Sequence, residues 1–303
     1  MTVASEFTPH DVRLMQGLAQ EVFAIDPALM HAETTVGELA WSYGKDHHAK
    51  AADWRHRFWY DGDQVVGWGW IQLGKSAQLV QLVHPGRPEV LDDVLGWFGA
   101  ESPGLPHVTT PCGTDTNVLA RLAAHGYEVD RSAESGLLKT QLNMRSLDDL
   151  EDVPALPDGF RFRTADEVGP AAVVQGHRDA WDGSRYTEQS YEGVRVTLPY
   201  RADFHLLIEA PDGTMAASTI MWHDEKNRTA EFEPVGTHRD FRRQGLGRAL
   251  LLHGMHRARA AGAARMLVAC STSPTRPAPK ALYYGVGFRE LNRDLPHRQV
   301  PSS

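Results

Sequence analysis

Arg242-Arg-Gln-Gly-Leu-Gly-Arg248 stands directly before a run with helical spacing, and that combination of residue types suits an anion. The first N–H groups of a helix lack internal partners, and the helix dipole adds partial positive charge at the same end. Phosphate is a natural ligand there. Gly245 and Gly247 let the backbone approach a pyrophosphate closely, while Arg242, Arg243 and Arg248 supply compensating charge. Just upstream, Glu231 and Glu233 lie two apart in a strand-like run, so both carboxylates share one face and can accept protons there. Pro234 follows at once; a residue that cannot donate to a sheet ladder predicts an edge or a bulge.

The elements around these residues follow from periodicity and turn chemistry. Strands are expected over 204–209 and 214–222, joined by a turn at Pro211-Asp-Gly213. A further strand begins near Thr229 and carries the glutamates. A helix runs from Gly245 to about Ala261, with Leu250, Leu251, Met255 and Ala258 facing a sheet. Gly262 ends it, and Arg265–Cys270 reads as the next strand.

Further on comes Ala281-Leu-Tyr-Tyr-Gly-Val-Gly-Phe288. Together with Arg242-x-x-Gly245-x-Gly247 it resembles the paired signature of the GNAT acyltransferase superfamily, over roughly residues 158 to 292. The resemblance implies acetyl-CoA as acyl donor and a small-molecule amine as acceptor. It implies that Val235, Gly236 and Thr237 line the pantetheine, and that Arg242, Arg243, Gln244, Gly245, Leu246, Gly247 and Arg248 surround the pyrophosphate. An attacking alkylammonium must first lose a proton. Glu231 is where tandem enzymes of the mycothiol synthase type carry their base, with Glu233 in reserve. Tyr283, protonated at neutral pH, is the implied donor to the departing thiolate. The acceptor pocket is expected from Trp181, Asp182, Arg185, Tyr186 and Tyr191, with Trp222 and His223 beside them. Where the superfamily often has an asparagine seven residues before the tyrosine, this chain has Arg276. Two alternatives stand beside amine acetylation: transfer from a longer acyl-CoA, and an acyl-CoA sensor without turnover.

The whole chain sets the frame. At 303 residues it can bury two ordinary cores. Hydrophobic residues make up 42% and charged residues 23%, the composition of a soluble globular protein. No apolar run is long enough to span a bilayer, and the N-terminus lacks a secretory pattern, so a cytoplasmic protein is expected. Thirty-one basic against 39 acidic residues give a net charge of −8, which disfavours nucleic acid as a partner. Cys112 and Cys270 are the only cysteines; no disulfide framework or metal site is expected. Monomer and homodimer are both compatible with the sequence.

Residues 145–158 are acidic and carry two prolines, which reads as a linker. Either side of it the same order of elements repeats. The expected fold is therefore α/β (α+β), with two tandem GNAT-type domains, each a mixed, largely antiparallel sheet flanked by helices with a splayed parallel strand pair. The copy over 159–303 is expected to be catalytic. The copy over 1–144 is degenerate: it lacks the Gly-x-Gly pair, places Asp92 and Asp93 in the first turn of the matching helix, and has Leu122 where the second copy has Tyr283. Its tryptophans from 54 to 97 are read as core or interface residues.

Overall fold

The computed structural model describes residues 6–132, 140–273, 275 and 277–300. The first part of the chain forms α1 (Pro9–Ile25), α2 (Val36–Lys50), β1 (Trp54–Asp61), β2 (Gln64–Leu73), β3 (Ala77–Val83), α3 (Val90–Glu101), β4 (His107–Thr109), α4 (Thr116–Ala124), β5 (Tyr127–Val129) and β6 (Thr140–Ser146). The second part forms β7 (Arg161–Thr164), α5 (Ala165–Val168), α6 (Pro170–Ala180), α7 (Glu188–Arg195), β8 (His205–Glu209), β9 (Met215–Asp224), β10 (Thr229–Thr237), α8 (Leu246–Ala260), β11 (Arg265–Ser271), α9 (Ala278–Gly285), β12 (Arg289–Arg293) and β13 (His297–Gln299). Helix starts follow local capping chemistry. Thr8 and Asp11 close a capping box on α1, and the Thr35 side chain accepts from the Glu38 N–H at the start of α2.

Two mixed sheets result, with strand orders β1-β2-β3-β4-β13-β5 and β12-β6-β11-β10-β9-β8-β7. Each is antiparallel except for one central parallel pair, β3 with β4 and β10 with β11. The sheets do not follow the 1–144 and 159–303 division strand for strand. β6, from the first half, lies between β11 and β12 in the second sheet, and β13, from the end of the chain, lies between β4 and β5 in the first. Each half lends its last strand to the other, and position 144/145 falls inside β6.

Helix α2 binds the halves a second time. Leu39 and Tyr43 are buried with Trp54, Trp68 and Trp70 in the first half, in a cluster that also takes in Leu142 and Leu267. One residue further round, Ala40 and Trp41 are buried with Tyr186, Tyr191 and Trp222 of the second half. Side chains about 100° apart on a helix reach two different cores. The contact with α7 is close enough to need glycine on both sides: a Cβ on Gly193 would lie 2.2 Å from the Gly44 carbonyl oxygen. The tryptophans of the first half are core residues as expected, Trp68 and Trp70 being almost fully enclosed.

Candidate active site

The anion loop forms where β10 hands over to α8. Arg243 (φ 68°) and Gly245 (φ 81°) both take left-handed backbone conformations, which turn the chain sharply so that Gly245 caps the helix. Leu246 is buried and anchors the turn, and Gly247 lies against Leu282 and Thr237. The N–H groups from Gln244 to Arg248 have no protein acceptor among the described residues. The loop's arginines divide in two. Arg242 donates to the carbonyls of Thr237 and Ala180, both at 3.2 Å, and Arg248 donates to Gly285 O at 2.6 Å and pairs with Glu151. These two brace the loop, whereas Arg243 and Gln244 are exposed, so Arg243 is the arginine with a free head to meet an anion. The corresponding helix of the first half, α3, has Asp92 and Asp93 in its first turn. Asp92 is paired with Arg121 and with His125, so that terminus is already neutralised by a carboxylate.

β10 and β11 pair in parallel only from Thr229↔Arg265 to Phe232↔Val268. The register of β10 with β9 shifts by one residue between Phe232 and Val235, where Glu233 and Pro234 together stand opposite Ile220 in a bulge, as the proline predicts. Beyond it the two parallel strands are unpaired and a gap opens.

The carboxylates at this point differ in their engagement. Glu231 is buried and uses both oxygens: Thr35 Oγ1 donates to Oε1 at 2.6 Å and Gly37 N donates to Oε2 at 2.9 Å. Both donors lie in the first turn of α2, where the helix dipole favours a negative charge. A Cβ on Gly37 would sit 2.6 Å from Glu231 Oε2 and from Trp222 Cδ1, so only glycine permits this approach. Burial nonetheless dominates and lifts the Glu231 pKa from 4.5 to about 7, with the charge of Glu38 acting the same way and the bond from Thr35 opposing. A carboxyl with a raised folded-state pKa binds more protons folded than unfolded, so stability falls as pH rises from about 4.5 to about 7; Glu231→Gln is expected to flatten that limb of a Tm-against-pH curve. Thr35→Ala removes the shortest bond and the helix cap together, and is expected to cost about 2–3 kcal/mol in urea unfolding.

Glu233 is the freer group: half-buried, with only its backbone carbonyl engaged, accepting from Trp222 Nε1 at 2.6 Å. Burial first, then the charges of Glu38 and Glu231, push its pKa well up, while Lys45 opposes. Glu38 and Lys45 project from α2, about one turn and three turns beyond Thr35, with Ser42 bonded to Glu38 and Lys45 over the face of Trp41. One wall of the site therefore comes from the first half.

Tyr283 approaches from the opposite side, on α9. It is buried edge-on against Phe288, ring centroids 6.1 Å apart. Burial, reinforced by the charges of Glu233 and Cys270, holds its phenol protonated. Cys270 is a buried thiol whose pKa burial raises, the opposite of an activated nucleophile. Gly287 (φ 90°) ends the motif as Gly126 (φ 77°) ends its copy in the first half.

The residues expected to form the acceptor pocket separate. Trp181 lies flat against Gly236, where a Cβ would meet its ring at 2.3 Å, and stacks on His177 at 4.4 Å; Val235 and Thr237 flank it, half-buried. Trp222 is brought to the bulge beside Glu233. His223 points to the other face of β9, near Phe204, with no hydrogen-bond partner among the described residues. Tyr186 and Tyr191 are enclosed in the core beneath Trp222, Tyr191 bonded to Tyr200 at 3.0 Å. Asp182 and Arg185 are exposed, with Asp182 3.5 Å from Arg239. Arg276 lies outside the described residues. The reading from sequence missed Thr35, Gly37, Glu38, Lys45 and His177. The Thr35-x-x-Glu38 cap marked the start of α2, but nothing local to it indicated which sheet that helix end would face.

A left-handed glycine turn at a helix start, a parallel pair that parts at a bulge, and Glu233 within electrostatic reach of Tyr283 stand together here. Residues 172–288 match the model of the acetyltransferase (GNAT) family. The second half of the chain therefore carries a GNAT acetyltransferase-family domain, in a chain that builds two mixed sheets in tandem. The fold is similar to that of a tandem GNAT protein from the clavulanic acid biosynthesis pathway (18% identity, 98% of each chain covered, TM-score 0.64). It is also similar to a GCN5-related N-acetyltransferase from Sphaerobacter thermophilus (16% identity, 98% of this chain and 95% of that one, TM-score 0.62). A GNAT-family acetyltransferase from Colwellia psychrerythraea aligns more loosely (11% identity, 89% and 98% covered, TM-score 0.56). No curated protein matches the chain in sequence.

Proposed function

We propose that the protein transfers the acetyl group of acetyl-CoA to the primary amine of a small molecule by direct attack. The observation that carries this reading is the placing of Glu233 and Tyr283 within electrostatic reach of each other at the mouth of the β10–β11 gap. The donor's pyrophosphate takes the free N–H groups from Gln244 to Arg248, with Arg243 as counter-charge, and its pantetheine follows Val235 to Thr237 in the place of a pairing strand. Glu233 takes a proton from the acceptor ammonium. The freed nitrogen then attacks the carbonyl carbon, with the backbone N–H of Val235 as candidate partner for the developing oxyanion. The C–S bond breaks as Tyr283 gives its proton to the leaving thiolate, and the second nitrogen proton passes to solvent as the amide forms, from which the tyrosinate recovers its own. Glu231, with both oxygens occupied, fixes α2 against β10 and takes no part in proton transfer. An acyl-CoA donor and two reduced cysteines fit a cytoplasmic setting.

The test follows free thiol with acetyl-CoA and a panel of amines. Amine-dependent release is expected, and Tyr283→Phe should lower it by about 10- to 100-fold by removing the proton donor. Tight acetyl-CoA binding with no release on any amine would replace the enzyme with an acyl-CoA sensor.

A further inference from the structure

A second polar cluster lies along the seam between the halves, and the reaction proposed above makes no use of it. It joins Glu33, in the short turn Ala32–Thr34 before α2, to Asn292 on β12 and Asp294 just after it. Ala32 N donates to Asp294 Oδ2 at 3.2 Å, setting that carboxylate against the turn. Gln78 Nε2 donates to Glu33 Oε1 at 2.9 Å. Asn292 Nδ2 donates to the carbonyls of Ala28, at 3.2 Å, and Met30, which fixes the orientation of its amide.

Three oxygens remain. Glu33 Oε2, Asp294 Oδ1 and Asn292 Oδ1 are each buried without a hydrogen-bond donor among the described residues. Asp294 is 1% exposed and Asn292 3%, so solvent at the surface does not serve them. No described lysine, arginine or histidine pairs with Glu33 or Asp294. Each buried acceptor left without a donor costs about 1–3 kcal/mol, and the charge of Glu33 raises the pKa of Asp294 on top of its burial. The missing partner is a group with several donors, no acceptor and positive charge. A primary ammonium has three N–H donors and no acceptor.

The cluster is continuous with the reaction centre. Glu33 lies two residues before Thr35, which donates to Glu231 Oε1 at 2.6 Å, and Glu33, Glu231 and Glu233 each feel the charge of Glu38. Carboxylates therefore follow one another from the β10 bulge along the start of α2 to Asp294, with Lys45 beside Glu38 and Glu233. A monoamine reacting at Glu233 would leave the far end of this line unpaired.

We propose that this seam holds a second, non-reacting ammonium, and that the acceptor is a linear diamine or polyamine whose one end reacts at Glu233 while the other is held by Glu33, Asn292 and Asp294. The identification of the ligand as the acceptor rests on the function proposed above; the ammonium site itself does not.

The experiment titrates α,ω-diaminoalkanes, from the propane to the octane compound, and the matching n-alkylamines into the full chain by calorimetry, and runs both series in the thiol-release assay. At the best chain length the diamine is expected to bind at least about tenfold more tightly than its monoamine, about 1.4 kcal/mol. Asp294→Asn, which keeps an oxygen for Ala32 N, should bring that ratio to about threefold or less, in binding and in kcat/KM alike. Equal binding of the two series by the wild-type chain overturns the proposal without any variant, and so does a diamine preference that persists in Asp294→Asn, which would put the second ammonium elsewhere. Should no amine turn over while the Asp294-dependent preference in binding holds, the ammonium site stands and the acetyltransferase reading falls.

Discussion

A chain ended after Asp294, lacking only β13 and the last residues, is expected to lose its native fold. Among the described residues β5 pairs with no strand other than β13, and β13 is what joins it to β4. The same holds for the opposite exchange. β6 pairs with β11 over seven residues and is, among the described residues, the only strand beside β12, so residues 159–303 alone would open their sheet next to the parallel pair at the candidate site. Residues 1–144 alone would carry an unpaired β6 and an α2 with Ala40 and Trp41 stripped of their core. Unpaired edges and exposed core faces favour association over folding. The full chain should therefore unfold in one calorimetric transition, and neither half expressed alone should show native amide dispersion. Two separate transitions, or one half folded by itself, would contradict the exchange.

Glu233→Gln is expected to lower kcat by about 10²–10³-fold, the usual range for loss of a positioned general base. Glu231→Gln should lower it by less than about tenfold, since Gln keeps an oxygen for Gly37 N and an amide for Thr35 Oγ1. The two glutamates share a strand and a spacing, so sequence alone ranks them by resemblance. Burial and bonding reverse the order: a carboxylate holding two donors at 2.6 and 2.9 Å is committed, while the side chain of Glu233, in the bulge, has no hydrogen-bond partner among the described residues. Thiol-release kinetics of both variants on one amine decide it; a larger loss from Glu231→Gln would return the base to Glu231.

Much of the second half was readable because its signals are local. The run from Glu231 to Leu250 contains its own strand, bulge residue, left-handed turn and helix start, and each appears at the expected place, the helix beginning at Leu246 rather than Gly245. The first turn of α3 was readable for the same reason, since Asp92 and Asp93 stand there as their sequence positions place them. What escaped was non-local. Tyr186 and Tyr191 have the polar-aromatic character of pocket residues, yet α2 covers that face of the sheet and they become core. The exchange of β6 and β13 leaves no mark on hydrophobic alternation, because a strand reads the same whichever sheet receives it. Glu38 and Lys45 sit on an ordinary amphipathic helix, and only its docking makes them part of the site.

That docking is the central claim: the first half contributes the wall that sets the proton affinity of Glu233. The direct measurement is kcat/KM against pH for the wild type and for Glu38→Gln. Activity should rise with pH as Glu233 loses its proton. Since the charge of Glu38 raises the Glu233 pKa and that of Lys45 lowers it, Glu38→Gln should move the rising limb to lower pH and Lys45→Met should move it to higher pH. A limb that stays in place in both variants, or moves the other way, would show that α2 lies outside the active site.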